Sequence, residues 1–357
     1  MSLGLFVTKN HLLMLTYEMD ESSQLFSHQI GVVNELAAYF DKVTVITGKS
    51  GKFKVLDNVN VYSSNWQTGK RIKSIFSFLL IFFKLLFKEK FTVVFSHMTS
   101  VQAAFISPIT WFFRIRHFLW YTHTSDNFAL RICSVFSNGI LTATSGSCPI
   151  KGRKVYVIGH SIDSKVFRKK SNVSFPIMKF VHAGRFDPSK NIKQIIDSIK
   201  NLRTQGGNFT LTTIGSPSTP AAVTYQSDVL SENRQNKDWL NFLPAMQRSN
   251  LPIALCEFDC FIHAFEGSLD KAVLEATLVG IPVVTTNLEY LKIFGSWNRK
   301  NVSIENSLQN ELELLLGLSK TELEHELERR YEIALKDYEI KGWAQRVNKV
   351  LNNHKRD

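Results

Sequence analysis

Phe265-Glu266-Gly267-Ser268-Leu269-Asp270-Lys271-Ala272-Val273-Leu274-Glu275-Ala276, followed shortly by Gly280-Ile281-Pro282-Val283-Val284, is the stretch on which the fold turns. It predicts a glycine-bearing loop, a helix beginning near Ser268 and running to about Val279, a glycine stop and then a buried strand. Such a loop points backbone N–H groups and the positive end of a helix dipole at one place, which suits a phosphate or a sugar hydroxyl. Roughly two turns further on, Glu275 puts a carboxylate beside that place, where it would accept both hydroxyls of a ribose.

Working outward, the same alternation of apolar run and helical pattern recurs. Strands are expected at Val43–Thr47, Val93–Ser96, Phe118–Tyr121, Ile140–Thr142 and Val155–Ile158, with Ile30, Val33, Ala37 and Phe40 on one helical face between two of the turns. A polar stretch, Arg168 to Ser174, reads as a linker, after which Phe180-Val181, Phe209–Ile214, Asp259–Ile262 and Ile281–Thr285 repeat the pattern. Ile192, Ile195, Ile196, Ile199 and Leu202 line one face of the helix that follows the first of these. The expectation is an α/β protein of two doubly wound domains, 1–170 and 171–335, with a cleft at the carboxyl ends of two sheets. The tail from Thr321 to Asn352 is helical, with Trp343, Val347 and Leu351 four apart. Its last part, about 336–357, is expected to return to the first domain; a plain terminal helix of the second domain is the alternative.

A second chemical element is Gly184-Arg185-Phe186-Asp187-Pro188-Ser189-Lys190-Asn191, between a strand and a helix. Arg185 offers a planar fork for phosphate oxygens, and Lys190 brings a second positive charge to the same anion. In the first domain, Leu119-Trp120-Tyr121-Thr122-His123 ends one strand and Phe95-Ser96-His97-Met98 ends another. Either His fits a structural hydrogen bond as well as a contact to ligand. The run Glu18 to Gln29 is a surface loop capping the next helix at Ser23 or Ser27, or an acceptor contact through Asp20.

These segments together resemble glycosyltransferase family 4. Its members carry a Glu, seven residues and a second Glu at the place of the 267–275 stretch; Glu275 matches the second, Gly267 stands eight positions before it, and Glu266 is displaced by one. A branch of the family has GSLDK there, as Gly267 to Lys271 does. The resemblance implies a GT-B fold and a retaining transferase. It implies Arg185 and Lys190 on the donor diphosphate, Glu275 on the ribose, Gly184 and Gly267, Ser268, Leu269, Asp270 and Lys271 around the donor, and His123 near the transferred sugar. The Glu18–Gln29 run stands where the family's first loop meets the acceptor, which makes Asp20 an acceptor-side candidate, and His97, at its strand end, is a second. The donor would be a UDP- or GDP-linked sugar and the acceptor a saccharide or lipid-linked saccharide. A nucleotide-sugar epimerase or hydrolase of the same architecture is the enzymatic alternative, and a non-catalytic basic binding protein the other.

Composition narrows the rest. The chain has 357 residues, 44% hydrophobic and 21% charged, enough for two cores. A net charge of +12 calls for a polyanionic partner, and the absence of RNA-module aromatic signatures turns that away from nucleic acid. Lys70 to Lys90 runs Lys-Arg-Ile-Lys-Ser-Ile-Phe-Ser-Phe-Leu-Leu-Ile-Phe-Phe-Lys-Leu-Leu-Phe-Lys-Glu-Lys, too short and too interrupted to span a bilayer. It fits a helix lying on an anionic membrane, or one that covers a sheet. Trp111-Phe112-Phe113-Arg114-Ile115-Arg116 adds a second aromatic-basic patch. No D-x-D triplet and no His/Cys cluster suggests a metal, so metal independence and no cofactor are expected. Four cysteines without close pairing read as reduced core thiols, and the expected location is cytoplasmic, on the inner face of the membrane.

Overall fold

The computed structural model describes residues 10–67, 69–297 and 307–353; residues 354–357 of the expected C-terminal helix lie outside them. The chain divides into two compact units, Met1–Ser161 with Ile340–Asp357, and Ile162–Glu339.

The first unit runs β1 (His11–Met19), α1 (His28–Ala37), β2 (Lys42–Ser50), β3 (Val59–Ser63), α2 (Arg71–Lys88), β4 (Val93–His97), α3 (Ser100–Phe112), β5 (Arg116–Trp120), α4 (Phe128–Phe136), β6 (Gly139–Thr142) and β7 (Val155–Val157). Its seven-stranded sheet has the order β3-β2-β1-β4-β5-β6-β7 with every pairing parallel. The chain therefore builds outward from β1 to β3, returns, and builds from β4 in the other direction. The reversal between β1 and β4 is the switch point, where side chains beyond the strand ends meet across a crevice.

The second unit runs β8 (Lys179–Ala183), the 3-10 turn Pro188–Lys190, α5 (Ile192–Thr204), β9 (Thr210–Ile214), α6 (Pro220–Glu232), β10 (Leu240–Leu243), α7 (Leu251–Cys256), β11 (Cys260–His263), α8 (Lys271–Val279), β12 (Val283–Thr285), α9 (Leu288–Phe294), α10 (Leu308–Leu316) and α11 (Lys320–Tyr338). Its parallel sheet is ordered β10-β9-β8-β11-β12, with the switch point between β8 and β11. The stretch 168–174, expected as a linker, belongs to this unit: Phe167 just before it is buried in the core and Lys170 N donates to Val279 O.

The tail is two helices rather than one. α11 carries a full capping box, Ser319 with Glu322, and packs on α8. α12 (Ile340–Asn353) packs on α1, with Trp343, Val347 and Leu351 fully buried in the first core. Trp343 meets Trp120 edge-on at 5.4 Å between ring centroids and Phe95 at 6.5 Å. Cys133, Cys148 and Cys260 are buried thiols as expected, but Cys256 is exposed at the end of α7.

Three strands escape a reading by apolar runs. β1, His-Leu-Leu-Met-Leu-Thr-Tyr-Glu-Met, is central and almost wholly buried, but its Leu and Met residues favour helix as much as strand. β3 and β10 are edge strands whose alternate residues face outward, so neither forms an unbroken run.

Truncation of Trp343 to Ala should cost about 3–5 kcal/mol, the usual scale for a large buried aromatic. The measure is the urea midpoint of the unfolding transition. A midpoint equal to that of the parent would show that α12 is not part of this core.

Candidate functional site

Both candidate phosphate-binding loops leave the carboxyl edge of the second sheet at its switch point. Gly184 follows β8 directly, and the Phe265–Asp270 loop follows β11, the strand paired with β8. Gly184 N donates to Ile214 O at 3.0 Å. A Cβ at Gly215 would stand 1.9 Å from Gly184 O, so only glycine there lets the β9 end approach.

The two loops are tied by side chains. Lys190 Nζ is ion-paired with Asp270 and stands 4.2 Å from the centroid of the Phe265 ring. Asn191, in the left-handed region at φ +49°, donates from Nδ2 to Ala264 O at 3.0 Å. Asp270 also accepts at 3.2 Å from Ala272 N, which makes it the N-cap of α8. The helix thus begins at Lys271, three residues beyond the expected start near Ser268. Burial raises the affinity of Asp270 for its proton, but Lys190 and His263 outweigh that and hold the carboxyl well below its ordinary range. His263 Nε2 lies 3.3 Å from Asp270 Oδ2 and its Nδ1 2.9 Å from Thr285 Oγ1.

Glu275 is buried one turn beyond Lys271 on the same face of α8 and is ion-paired with Arg248, which comes from the segment between β10 and α7. The Arg248 guanidinium lies over the Phe167 ring, 5.1 Å from its centroid. Burial, and then the charge of Arg248, push the Lys271 ammonium down to about 7, with Glu275 opposing them. The result is two carboxylates, Asp270 and Glu275, and three basic side chains, Lys190, Lys271 and Arg248, around the N-terminus of α8, with Arg185 exposed on the β8 loop. Such an arrangement has the chemistry to suit a diphosphate and to offer an acceptor to hydroxyls.

Of the other expected residues, Ser268 and Gly267 are partly exposed on the loop, whereas Leu269 is buried in the core and offers only its backbone. Asp20, His97 and His123 follow or end β1, β4 and β5, three neighbouring strands, and so share the carboxyl edge of the first sheet. His123 is exposed beside Tyr121, 5.5 Å between rings. Asp20 accepts from Ser22 N at 3.0 Å and Oγ at 2.8 Å, and these bonds hold its carboxyl below the ordinary value. His97 is buried, stacked at 6.0 Å on Trp120 and edge-on at 6.0 Å to Trp343, so its ring supports the core rather than facing an acceptor.

Sequence reading missed four residues of the second unit's site. Arg248 sits in an irregular segment with no spacing signal. Asn287 caps α9 through Tyr290 N at 3.0 Å and donates to Phe265 O at 2.9 Å and to Gly267 O and Ser268 O at 3.2 Å, holding the loop by its carbonyls. His263 and His182 lie on the ends of β11 and β8. His182 Nδ1 is 3.0 Å from Ile262 O, and burial followed by the charge on His263 pushes its pKa down to about 3, so it is neutral.

Residues 163–329 match the family model described as glycosyl transferases group 1. The match spans nearly all of the second unit, which is therefore similar to the group 1 glycosyltransferases. No curated protein sequence matches significantly. Among solved structures, the Anabaena protein Alr3699/HepE in complex with UDP is similar at 13% identity with a TM-score of 0.72, covering 96% of this chain and 100% of that one. Sucrose-phosphate synthase from Thermosynechococcus elongatus is similar at 11% identity and a TM-score of 0.75, covering 97% and 99%. TarM follows at 9% identity and 0.71, also covering 97% and 99%. At these identities the likeness is one of fold, and that fold is GT-B over nearly the whole chain.

The depressed Lys271 gives a signed pH dependence. A diphosphate pairs with the charged ammonium, so binding takes up a proton once the free site has lost it, and affinity should fall as pH rises from about 7 towards the ordinary lysine value of 10.5. Without ligand the sign reverses: the unfolded chain is the better proton binder in that window, so the unfavourable contribution of Lys271 is fully present below 7 and relieved as pH rises. Calorimetry of UDP binding in buffers of different ionisation enthalpy should show proton uptake at pH 8 that Lys271→Met removes. Equal uptake in both proteins would assign the proton elsewhere.

Proposed function

We propose that the chain transfers a sugar from a nucleotide-sugar donor to a saccharide acceptor carried on a lipid, with retention of anomeric configuration and without a metal ion or cofactor. The observation that carries this reading is the convergence of Lys190, Lys271 and the buried Glu275 at the N-terminus of α8, on the switch point of the second sheet. UDP is favoured over GDP as the nucleotide because similar structures hold UDP and UDP-glucose.

In this reading Arg185 and Lys190 bind the diphosphate, Lys271 adds a third charge, and Glu275 accepts the ribose hydroxyls as Arg248 gives way. Gly184 leaves the backbone open beside the phosphates, and the Gly267–Asp270 loop meets the sugar. His123, with Asp20, serves the transferred sugar and acceptor from the first unit. The acceptor hydroxyl attacks on the face the nucleotide leaves, and the departing phosphate oxygen takes its proton. At an effective dielectric near 20, each cation about 4 Å from that phosphate is worth roughly 4 kcal/mol before desolvation. That is enough to replace a metal in neutralising the leaving group. The setting is the inner face of the cytoplasmic membrane, where a lipid-linked acceptor would be met; among the described residues no helix is long and apolar enough to cross it.

Lys190→Ala should lower turnover by roughly two to three orders of magnitude, the scale of lost charge stabilisation at a leaving group, while Glu275→Gln should chiefly weaken nucleotide binding. Near-normal kinetics in a folded Lys190→Ala protein would remove the assignment. Product analysis with and without acceptor separates transfer from epimerisation or hydrolysis. Turnover should survive excess EDTA, and loss of activity restored by Mg²⁺ or Mn²⁺ would show that a metal neutralises the diphosphate.

A further inference from the structure

α2 has two apolar faces, and the fold uses only one. Phe78, Phe82 and Leu85 are buried against the first sheet beside Leu13, Ile46 and Val94. On the opposite side Ile72, Phe76, Leu80 and Phe87 form a stripe that is 87%, 64%, 57% and 75% exposed. Their spacing of four, four and seven residues keeps them on one side of a helix. The stripe continues onto the end of α3 and the residue after it: Phe87 lies 6.5 Å from Phe113, and Phe113 lies 5.4 Å from Phe112, which is 74% exposed. At about 200 Å² for a large side chain, these six expose on the order of 700 Å². The largest patch on an ordinary monomer is about 300–600 Å².

The charge around the stripe is one-sided. Between Asp57 and Asp126 the chain holds eight Lys or Arg and a single acid, Glu89. Glu89 is already engaged by Lys42 at 3.0 Å. Lys73, Lys84 and Lys88 are exposed and border the stripe on one flank of α2, and Arg114 is exposed beside Phe113. A second copy of the chain docking here through a two-fold axis would press like charges together. An anionic lipid surface would neutralise them while the aromatic rings enter the acyl boundary and the lysines stay at headgroup level.

We infer that the outer face of α2, with the Phe112-Phe113 end of α3, is the surface by which this protein lies on an anionic bilayer. The inference gives a definite surface to the membrane setting of the proposed function and rests on that reading for taking the partner to be a membrane. The sheet-facing side of α2 keeps the helix fixed to the domain, so it lies flat and does not insert end-on.

The test is co-sedimentation of the whole protein with vesicles of phosphatidylcholine and phosphatidylglycerol, against phosphatidylcholine alone. The wild type should sediment with the anionic vesicles and be released as salt rises to about 1 M, where the screening length is ~3 Å. A triple variant Phe76→Ser, Leu80→Ser, Phe87→Ser, and a second with Lys73→Glu, Lys84→Glu and Lys88→Glu, should each bind at least about tenfold more weakly. All six positions are on the solvent side, so thermal stabilisation by UDP should stay as in the wild type. Wild type left in the supernatant at low salt, or an apolar variant that sediments as the wild type does, would overturn the inference. So would a concentration-dependent dimer that the apolar variant abolishes, because the face would then belong to a second copy. A wild type that UDP stabilises but that binds no anionic vesicles sinks the surface alone; a wild type that binds the vesicles but that no nucleotide sugar stabilises sinks the proposed function alone.

Discussion

The second unit's site depends on one ion pair, Lys190 with Asp270. Each partner belongs to a different loop, and each loop follows a different strand at the point where the sheet reverses direction. The pair therefore fixes the separation of the two loops as well as satisfying two charges. Both side chains are largely withdrawn from water, so removing one partner would strand the other at a cost of about 3–5 kcal/mol. Asp270 has further partners: it caps α8 with one oxygen and faces His263 with the other. A carboxylate with this many donors stays ionised, and it holds Lys190 at the helix N-terminus.

The same economy operates one turn along α8. Glu275 is buried, and an isolated buried carboxylate would neutralise itself by taking a proton. Arg248 pairs with it, and Lys271 is the group that yields, its ammonium discouraged by burial and by Arg248. The free protein thus holds Glu275 in an ion pair with Arg248, beside a Lys271 whose ammonium is pushed down to about 7. In the proposed reading an incoming diphosphate would favour the charged Lys271, and a diol on Glu275 would compete with Arg248. Both changes point the same way, towards releasing a cation to the ligand.

Much of this was legible in the chain. The 265–284 stretch and the Gly184–Asn191 loop announce themselves because glycine, a buried strand and a helix start fall in fixed order, and Lys190, Lys271 and Glu275 follow from that order. Arg248 and Asn287 were not legible, for a physical reason. Each acts across a distance of sequence on a loop it does not adjoin, and neither lies in a periodic segment. His97 misled in the opposite way: a His at a strand end at a switch point looks functional, but Trp343, some 246 positions later, closes over it. Only packing could tell that ring from His123, which ends on the same edge and stays exposed.

The Lys70–Lys90 segment shows why two readings of a sequence need not exclude each other. A helix of 18 residues with apolar side chains on most of its circumference has more hydrophobic surface than one sheet face can cover. The fold resolves this by burying the Phe78-Phe82-Leu85 side and leaving the Ile72-Phe76-Leu80 side in solvent. For a helix that only covered a sheet, selection for solubility would have placed charges on the outer side, as on the outer faces of α5 and α11, where Lys193, Lys200 and Glu328 stand. α2 instead carries its lysines beside the exposed stripe and no acid at all. Stability of the folded unit gives no reason for that pattern, and a negatively charged apolar boundary does.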